Sequence, residues 1–152
     1  MGRRQPRLRY SHRSNTLMRV VAALEAVSGQ VYAWDFGRVT APKLARCRRD
    51  LGVRYPQARR IYLAMDNWPV HIHPKAQTAL AKDPRLLVLP TYSPWLNNIE
   101  RLWRWTKQRV THAHPWSDDF EEFKAQVRAE LDRVAHGPPE FRQYCGPNRL
   151  FG

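Results

Sequence analysis

IYLAMDN, residues 61–67, is the stretch on which the fold turns. The apolar run from Ile61 to Met65 is too short for a helix of its own, and Asp66-Asn67 ends it. This pattern predicts a buried strand whose last position carries a carboxylate. Downstream, residues 74–82 (PKAQTALAK) predict a helix, and RLLVLP, residues 85–90, predicts a second apolar strand that Pro90 terminates. Ser93 and Pro94 then suit a helix start, as cap and first helical residue. In the helix that follows, Ile99, Trp103, Thr106 and Val110 form one apolar stripe, widened by Leu96 and Leu102, with Glu100 on its margin.

Upstream, two β-branched or aromatic runs flank Ser28-Gly29 in residues 17–36, which predicts a hairpin with Gly29 in the turn. Residues 40–52 (TAPKLARCRRDLG) predict a short helix, with Thr40 as cap, Pro42 in the first turn, Leu44, Cys47 and Leu51 on one side, and Gly52 at the end. A last helix is predicted over 117–135, burying Phe120, Phe123, Val127, Leu131 and Val134 and stopping before Gly137-Pro138-Pro139. The order of hairpin, helix, strand, helix, strand, helix, helix predicts an α/β fold with a mixed sheet.

The 152 residues suffice for one domain with its own core, and 43% hydrophobic content argues against disorder. Lys and Arg number 26 against 13 Asp and Glu, so the formal charge of +13 suits a polyanion such as nucleic acid better than a merely solvated surface. That charge is uneven. No acid occurs in residues 1–24, and a second basic cluster spans 43–60. Residues 117–134 are acid-rich, with Asp118, Asp119, Glu121, Glu122, Glu130 and Asp132, and are not expected to face nucleic acid. Cys47 and Cys145 are far apart in the chain, which argues against a disulfide framework or a CxxC zinc pair and for a reducing compartment. The arginines of residues 1–14 are not followed by the apolar segment of a signal peptide, and no membrane-crossing run of about 18 apolar residues is present.

Strand ends are where open α/β sheets collect ligands, so Asp66 stands where chemistry is expected, and Glu100 follows the next strand. Two carboxylates meeting there repel unless divalent cations sit between them, and hard oxygen donors favour Mg²⁺ or Mn²⁺. Two such ions about 3.5–4 Å apart clamp the attacking and leaving oxygens of a phosphodiester. The plainer alternative is capping by Asp66 and an i,i+4 pair between Glu100 and Arg104.

MDNWPVH at residues 65–71 and LPTYSPWLNNIERLWRWTKQRV at residues 89–110 resemble the signature blocks of DDE transposases of the mariner-like superfamily, in particular its bacterial insertion-sequence branch. In that family the first block is an apolar strand, Asp-Asn and then a histidine. The second reads Leu-Pro-x-Tyr-Ser-Pro-x-Leu-Asn-x-Ile-Glu-x-x-Trp with a lysine following. Asp66 and Glu100 have 33 residues between them, close to the family's spacing, and the likeness covers roughly residues 2–134.

The resemblance implies a ribonuclease H-like catalytic domain over residues 17–136, after a basic segment 1–16 and before a tail 137–152. Asp66 and Glu100 would be the second and third members of a carboxylate triad that holds Mg²⁺ or Mn²⁺, two ions in an intact site. Asn67, His71, Tyr92 and Asn97 would lie near that site. His71 with His73 can also be written as a zinc pair, but partners at metal spacing are lacking. Arg101, Arg104 and Lys107 would contact DNA phosphates, and Trp95 would stack on a base or pack in the core. Trp103 is assigned to the core.

Two departures stand out. Asn98 occupies the position of a usual proline. The family's first aspartate, on a strand before the hairpin, has no match, since Glu25 is the first acid of any kind and Asp35 lies in the second hairpin strand. GRRQP resembles the linker after that strand, so the chain is expected to begin just past it. The hairpin must then pair with the strand at 61–65, recruit RLRYSH, or leave an inner sheet edge open.

The expected function is that of a transposase cutting and joining the ends of an insertion sequence in the bacterial cytoplasm, at the nucleoid. Its partners would be transposon-end and target DNA, a second copy of the chain, and an upstream fragment from a split or frameshifted reading frame. No helix-turn-helix reader is visible. The alternatives are a catalytically inactive DNA-binding remnant and a cellular ribonuclease H-like nuclease. The Tyr-Ser-Pro block argues against the latter.

Overall fold

The structure is a computed structural model of the chain, and it describes residues 17–77, 85–90, 96–112 and 119–145. These residues are mixed α/β, as expected, but they form two small sheets instead of one mixed sheet. The first sheet pairs β1 (Arg19–Leu24) with β2 (Val31–Phe36). The second pairs β3 (Tyr62–Met65) with β4 (Arg85–Val88) in parallel, placing Met65 opposite Val88.

The hairpin forms where the sequence predicts it. Its turn closes through Glu25 N to Gln30 O at 2.8 Å and Gly29 N to Glu25 O at 3.0 Å, with Gly29 at φ +74°. A β-branched or bulky residue would be strained there. The Ser28 hydroxyl donates to the Glu25 carboxylate and accepts from the Gln30 backbone at 3.1 Å, tying the loop together.

Two compact units divide the chain. Among the described residues, one contains 19–23, 33–77, 85–90 and 96–100, the other 17–18, 24–32, 101–112 and 119–145. The core of the first is built on α1 (Ala41–Arg54), whose Leu44, Ala45, Cys47 and Leu51 are buried, with Met65 and Ala76. Thr40 is the N-cap as expected, though its side chain makes no capping bond, and α1 runs past Gly52 to Arg54. Trp34 in β2 donates its indole N–H to Asp50 in α1 at 3.1 Å.

Two short helices follow β3. The first, α2 (Pro69–Ile72), is too short to leave a periodicity in the sequence. α3 (Pro74–Gln77) is the described part of the helix predicted over 74–82. Proline opens both, where a missing N–H costs nothing.

The expectation of a buried strand at 61–65 needs correction. Tyr62 and Ala64 are exposed and Met65 is buried, and Leu87 and Val88 in β4 are exposed as well. With two strands of four residues each, this parallel pair leaves one apolar face and both outer edges uncovered among the described residues. The hairpin does not pair with β3, while RLRYSH lies outside the described residues.

The second unit's core is helical. α4 (Ile99–Thr106) passes into a π-helical turn, Lys107–Thr111. Leu102, Thr106 and Val110 are buried along one line, whereas Ile99 and Trp103 are half-buried. The stripe therefore centres on Leu102 and not on Ile99 and Trp103, so Trp103 is less completely core than expected. α5 (Phe120–Val134) buries Val127, Leu131 and Val134, and its cap is Asp119, which accepts from Glu122 N at 2.9 Å. Beyond Gly137 a further helix, α6 (Pro139–Cys145), buries Phe141 and Cys145 completely or nearly so. Both cysteines are free, and burial pushes each thiol up to about 11, so neither is poised for chemistry.

Candidate active site

Asp66 follows the last paired residue of β3. The ladder is continued by Leu89 N donating to Met65 O at 2.8 Å, so the carboxylate projects from the strand's C-terminal end. Its side chain is 67% exposed. His71 Nε2 lies 3.2 Å from Asp66 Oδ1. Burial lowers the His71 pKa, Asp66 partly restores it, and the Arg48 charge lowers it again, with a net depression. The lowered value favours the neutral ring at pH 7, and the contact with Asp66 is electrostatic. His71 thus stands beside Asp66. Among the described residues no group of three or more His, Cys, Asp or Glu that could hold a metal occurs.

Beneath this loop lies a group that sequence reasoning missed. Arg48, on α1, is only 4% exposed. Its guanidinium donates to Ala76 O at 2.6 Å and His71 O at 3.0 Å, and contacts Met65 Sδ at 3.4 Å. One side chain thereby ties the end of β3 to α2 and α3. Burial lowers its pKa, yet it stays charged because the ordinary guanidinium value is so high. In the sequence it is one arginine of a basic cluster; the helical spacing sets it beside Leu44 and Leu51, away from exposed Arg46 and Arg49, but gives no sign of the carbonyls it meets.

Glu100 lies in the first turn of α4. That helix begins at Ile99, and the expected start at Ser93-Pro94 lies outside the described residues. Asn97 sets its start: its backbone carbonyl accepts from Glu100 N at 3.0 Å, and its side-chain oxygen accepts from Ile99 N at 3.4 Å. A carboxylate in the first turn is favoured by the helix dipole. Glu100 is exposed and its carboxylate has no hydrogen bond or ion pair among the described residues, so the i,i+4 pair with Arg104 is not formed.

Of the residues expected to touch DNA, Arg104 and Lys107 are exposed. Arg101 is half-buried and donates to Tyr144 O at 3.3 Å. Trp95 and the near-site Tyr92 lie outside the described residues, whereas Asn67 is described and exposed. Asn98 sits in the turn before α4, and its side-chain oxygen is buried without a partner among the described residues.

The second unit holds a separate polar cluster around Glu130, which is 9% exposed. It accepts from Trp105 Nε1 at 2.7 Å and from Arg133 at 2.8 and 3.0 Å, with Arg109 Nε at 3.2 Å. Burial alone pushes its carboxyl up. The bonds from Arg133 and Trp105 and the charges of Arg133 and Arg109 outweigh that and hold it below the usual range. One acid of the acid-rich segment is therefore an internal tie.

A family model described as DDE superfamily endonuclease matches residues 1–124, a span that contains both Asp66 and Glu100. The chain belongs to the DDE superfamily of endonucleases. It is also similar to the insertion element IS630 uncharacterized 39 kDa protein of Shigella sonnei, with 28% identity over 121 residues, 78% of this chain and 35% of that protein. Together these place it among DDE transposases of the IS630 and mariner-like group. The chain spans about a third of the length of the relative it matches.

Endonucleases of this family generally use divalent metal ions and act on DNA. The donor chemistry here suits such an ion, since Asp66 and Glu100 present exposed carboxylates, whose hard oxygens are the donors such ions prefer. The number of donors falls short of a complete set among the described residues. No helix among them is long and apolar enough to cross a membrane.

Proposed function

We propose that this chain contributes Asp66 and Glu100 to the metal-binding carboxylates of an insertion-sequence transposase with a ribonuclease H-like catalytic domain. The observation that carries the proposal is that the family match spans both acids, which also fall within one compact unit, one at a strand's C-terminal end and the other in a helix's first turn. Asp66 and Glu100 would hold Mg²⁺ or Mn²⁺ once a third carboxylate joins them. The chemistry so supplied is stabilisation of the attacking and leaving oxygens during DNA cleavage and strand transfer. His71 orients the Asp66 carboxylate, and Arg48 fixes the loop that carries His71. Arg104 contacts phosphate through its planar fork and Lys107 as a point charge, and Arg101 and Trp95 are assigned to the same DNA contact. Asn67 and Asn97 are assigned to the surroundings of the site, as the family motif also assigns Tyr92, with Asn97 setting the start of Glu100's helix. The transposon ends and the target are the DNA partners, and a second copy of the chain or an upstream transposase fragment completes the assembly in the bacterial cytoplasm.

A nicking assay on plasmid DNA with Mg²⁺ or Mn²⁺ tests this. The 152-residue chain is expected to show little or no cleavage alone. It should gain cleavage when a polypeptide supplying the third carboxylate is added, and lose it again in Asp66→Ala or Glu100→Gln. Robust nicking that survives Asp66→Ala would remove the assignment. Metal-independent, salt-sensitive DNA binding that is unchanged by Glu100→Gln, with no cleavage under any complementation, would favour the alternative of an inactive DNA-binding remnant.

A further inference from the structure

Trp68 follows Asp66 by two residues and caps the N-terminus of α2. Its backbone carbonyl accepts from His71 N at 2.8 Å, closing the turn, and its ring meets the His71 ring edge to face, with centroids 5.4 Å apart and planes at 75°. His71 is itself held against Asp66 at 3.2 Å and by Arg48 through its backbone carbonyl at 3.0 Å. The indole is therefore anchored to His71, the residue that touches Asp66, yet 43% of Trp68 remains exposed.

The other described tryptophans are used differently. Trp34 donates to Asp50, Trp105 donates to Glu130, and both, like Trp103, are half-buried. The Trp68 indole N–H has no partner among the described residues, and Ile72 and Lys75 are exposed on the two short helices that follow. A large aromatic surface kept in water, oriented by its neighbours and followed by an exposed cation, is the composition of a nucleobase-stacking platform. The strongly basic chain supplies the complementary field for a polyanion.

We infer that Trp68 stacks on an unpaired DNA base beside the phosphate that Asp66 addresses, and so sets the position of the strand end at the site. This rests on the transposase reading of Asp66, and it adds a specificity-determining residue that the carboxylates do not require. Stacking demands a base already free of its neighbours, so the contact favours frayed or overhanging ends over continuous duplex.

The test uses the full chain and a short duplex with a 3′ overhang containing 2-aminopurine, compared with the same duplex blunt-ended. Wild type should bind the overhang more tightly and quench the 2-aminopurine emission. Trp68→Ala should lose the quenching and weaken overhang binding by about tenfold, while blunt-duplex affinity changes less than about twofold. Trp68→Phe, which keeps a ring, should recover most of both signals. Far-UV circular dichroism checks that the variants fold.

Equal affinities for wild type and Trp68→Ala on both substrates would overturn the assignment, as would an equal loss on both, which would mark Trp68 as a structural or protein-contact residue. Absence of any DNA binding by wild type would overturn it too. Quenching that persists in Asp66→Asn, alongside cleavage that ignores Asp66, would sink the catalytic proposal and leave the stacking contact standing.

Discussion

His71 Nε2 lies 3.2 Å from Asp66 Oδ1, and the imidazole is held neutral by burial while the carboxylate stays largely in water. Because Asp66 is exposed, the pair adds little to stability. His71→Ala should cost less than about 1 kcal/mol in urea unfolding. The sign of its pH dependence is fixed by the lowered imidazole pKa. Its stability contribution is complete above the ordinary value of about 6.5 and is lost as pH falls below it, because the unfolded chain takes up the proton first. An NMR titration of His71 should show a midpoint below the unfolded value, and a midpoint above it would contradict the buried, neutral ring.

Arg48 is a buried cation whose described partners are two backbone carbonyls and a thioether. Truncation leaves those carbonyls unpaired and opens a cavity, so Arg48→Ala should destabilise by about 3 kcal/mol. Arg48→Lys should recover only part of this, since an ammonium is a point donor and cannot reproduce the planar fork. Hydrogen exchange localises the effect: amides of His71 and Ala76 should lose protection in both variants, while those of α5 remain protected.

Glu130 gathers Trp105, Arg109 and Arg133. Removing it leaves an indole N–H and two guanidinium groups without their shared acceptor, and Glu130→Ala should cost about 2–4 kcal/mol. Glu130→Gln keeps the shape and loses the charge, so its cost should be smaller. The carboxyl is held below its usual range. The stability it gives is therefore present above about pH 4.5 and is lost as pH falls below that. Thermal unfolding should become less sensitive to acid in Glu130→Gln than in wild type.

Three glycines should respond to alanine in three ways. Gly137 has φ +60°, and a Cβ there would meet Ser28 O at 2.7 Å and Gly29 O at 2.9 Å, both backbone atoms that cannot swing aside. Gly137→Ala should cost more than about 2 kcal/mol. Gly29 has φ +74°, but its nearest obstacle is the Arg142 side chain, so about 1 kcal/mol is expected. Gly52 lies inside α1 with nothing within 4 Å of a Cβ, and Gly52→Ala should stabilise by about 0.5–1 kcal/mol. Denaturant midpoints that fail to follow this order would show that the tight approach at Gly137 is absent.

Sequence alone carried the hairpin around Gly29, the strand ending at Asp66, the cap position of α1, and the family, because these depend on local periodicity, turn chemistry and a motif in one continuous stretch. Tertiary structure decided what depends on partners distant in the chain. Arg48 is buried while Arg46 and Arg49 are not, because α1 turns one face toward the loop after β3. Glu130 became an internal acceptor although it lies in an acid-rich run, because three donors converge on it from other turns of helix. The strand pair was expected to be buried, yet its apolar face stays open, since hydropathy records a residue's preference for burial and only a neighbouring layer can satisfy it.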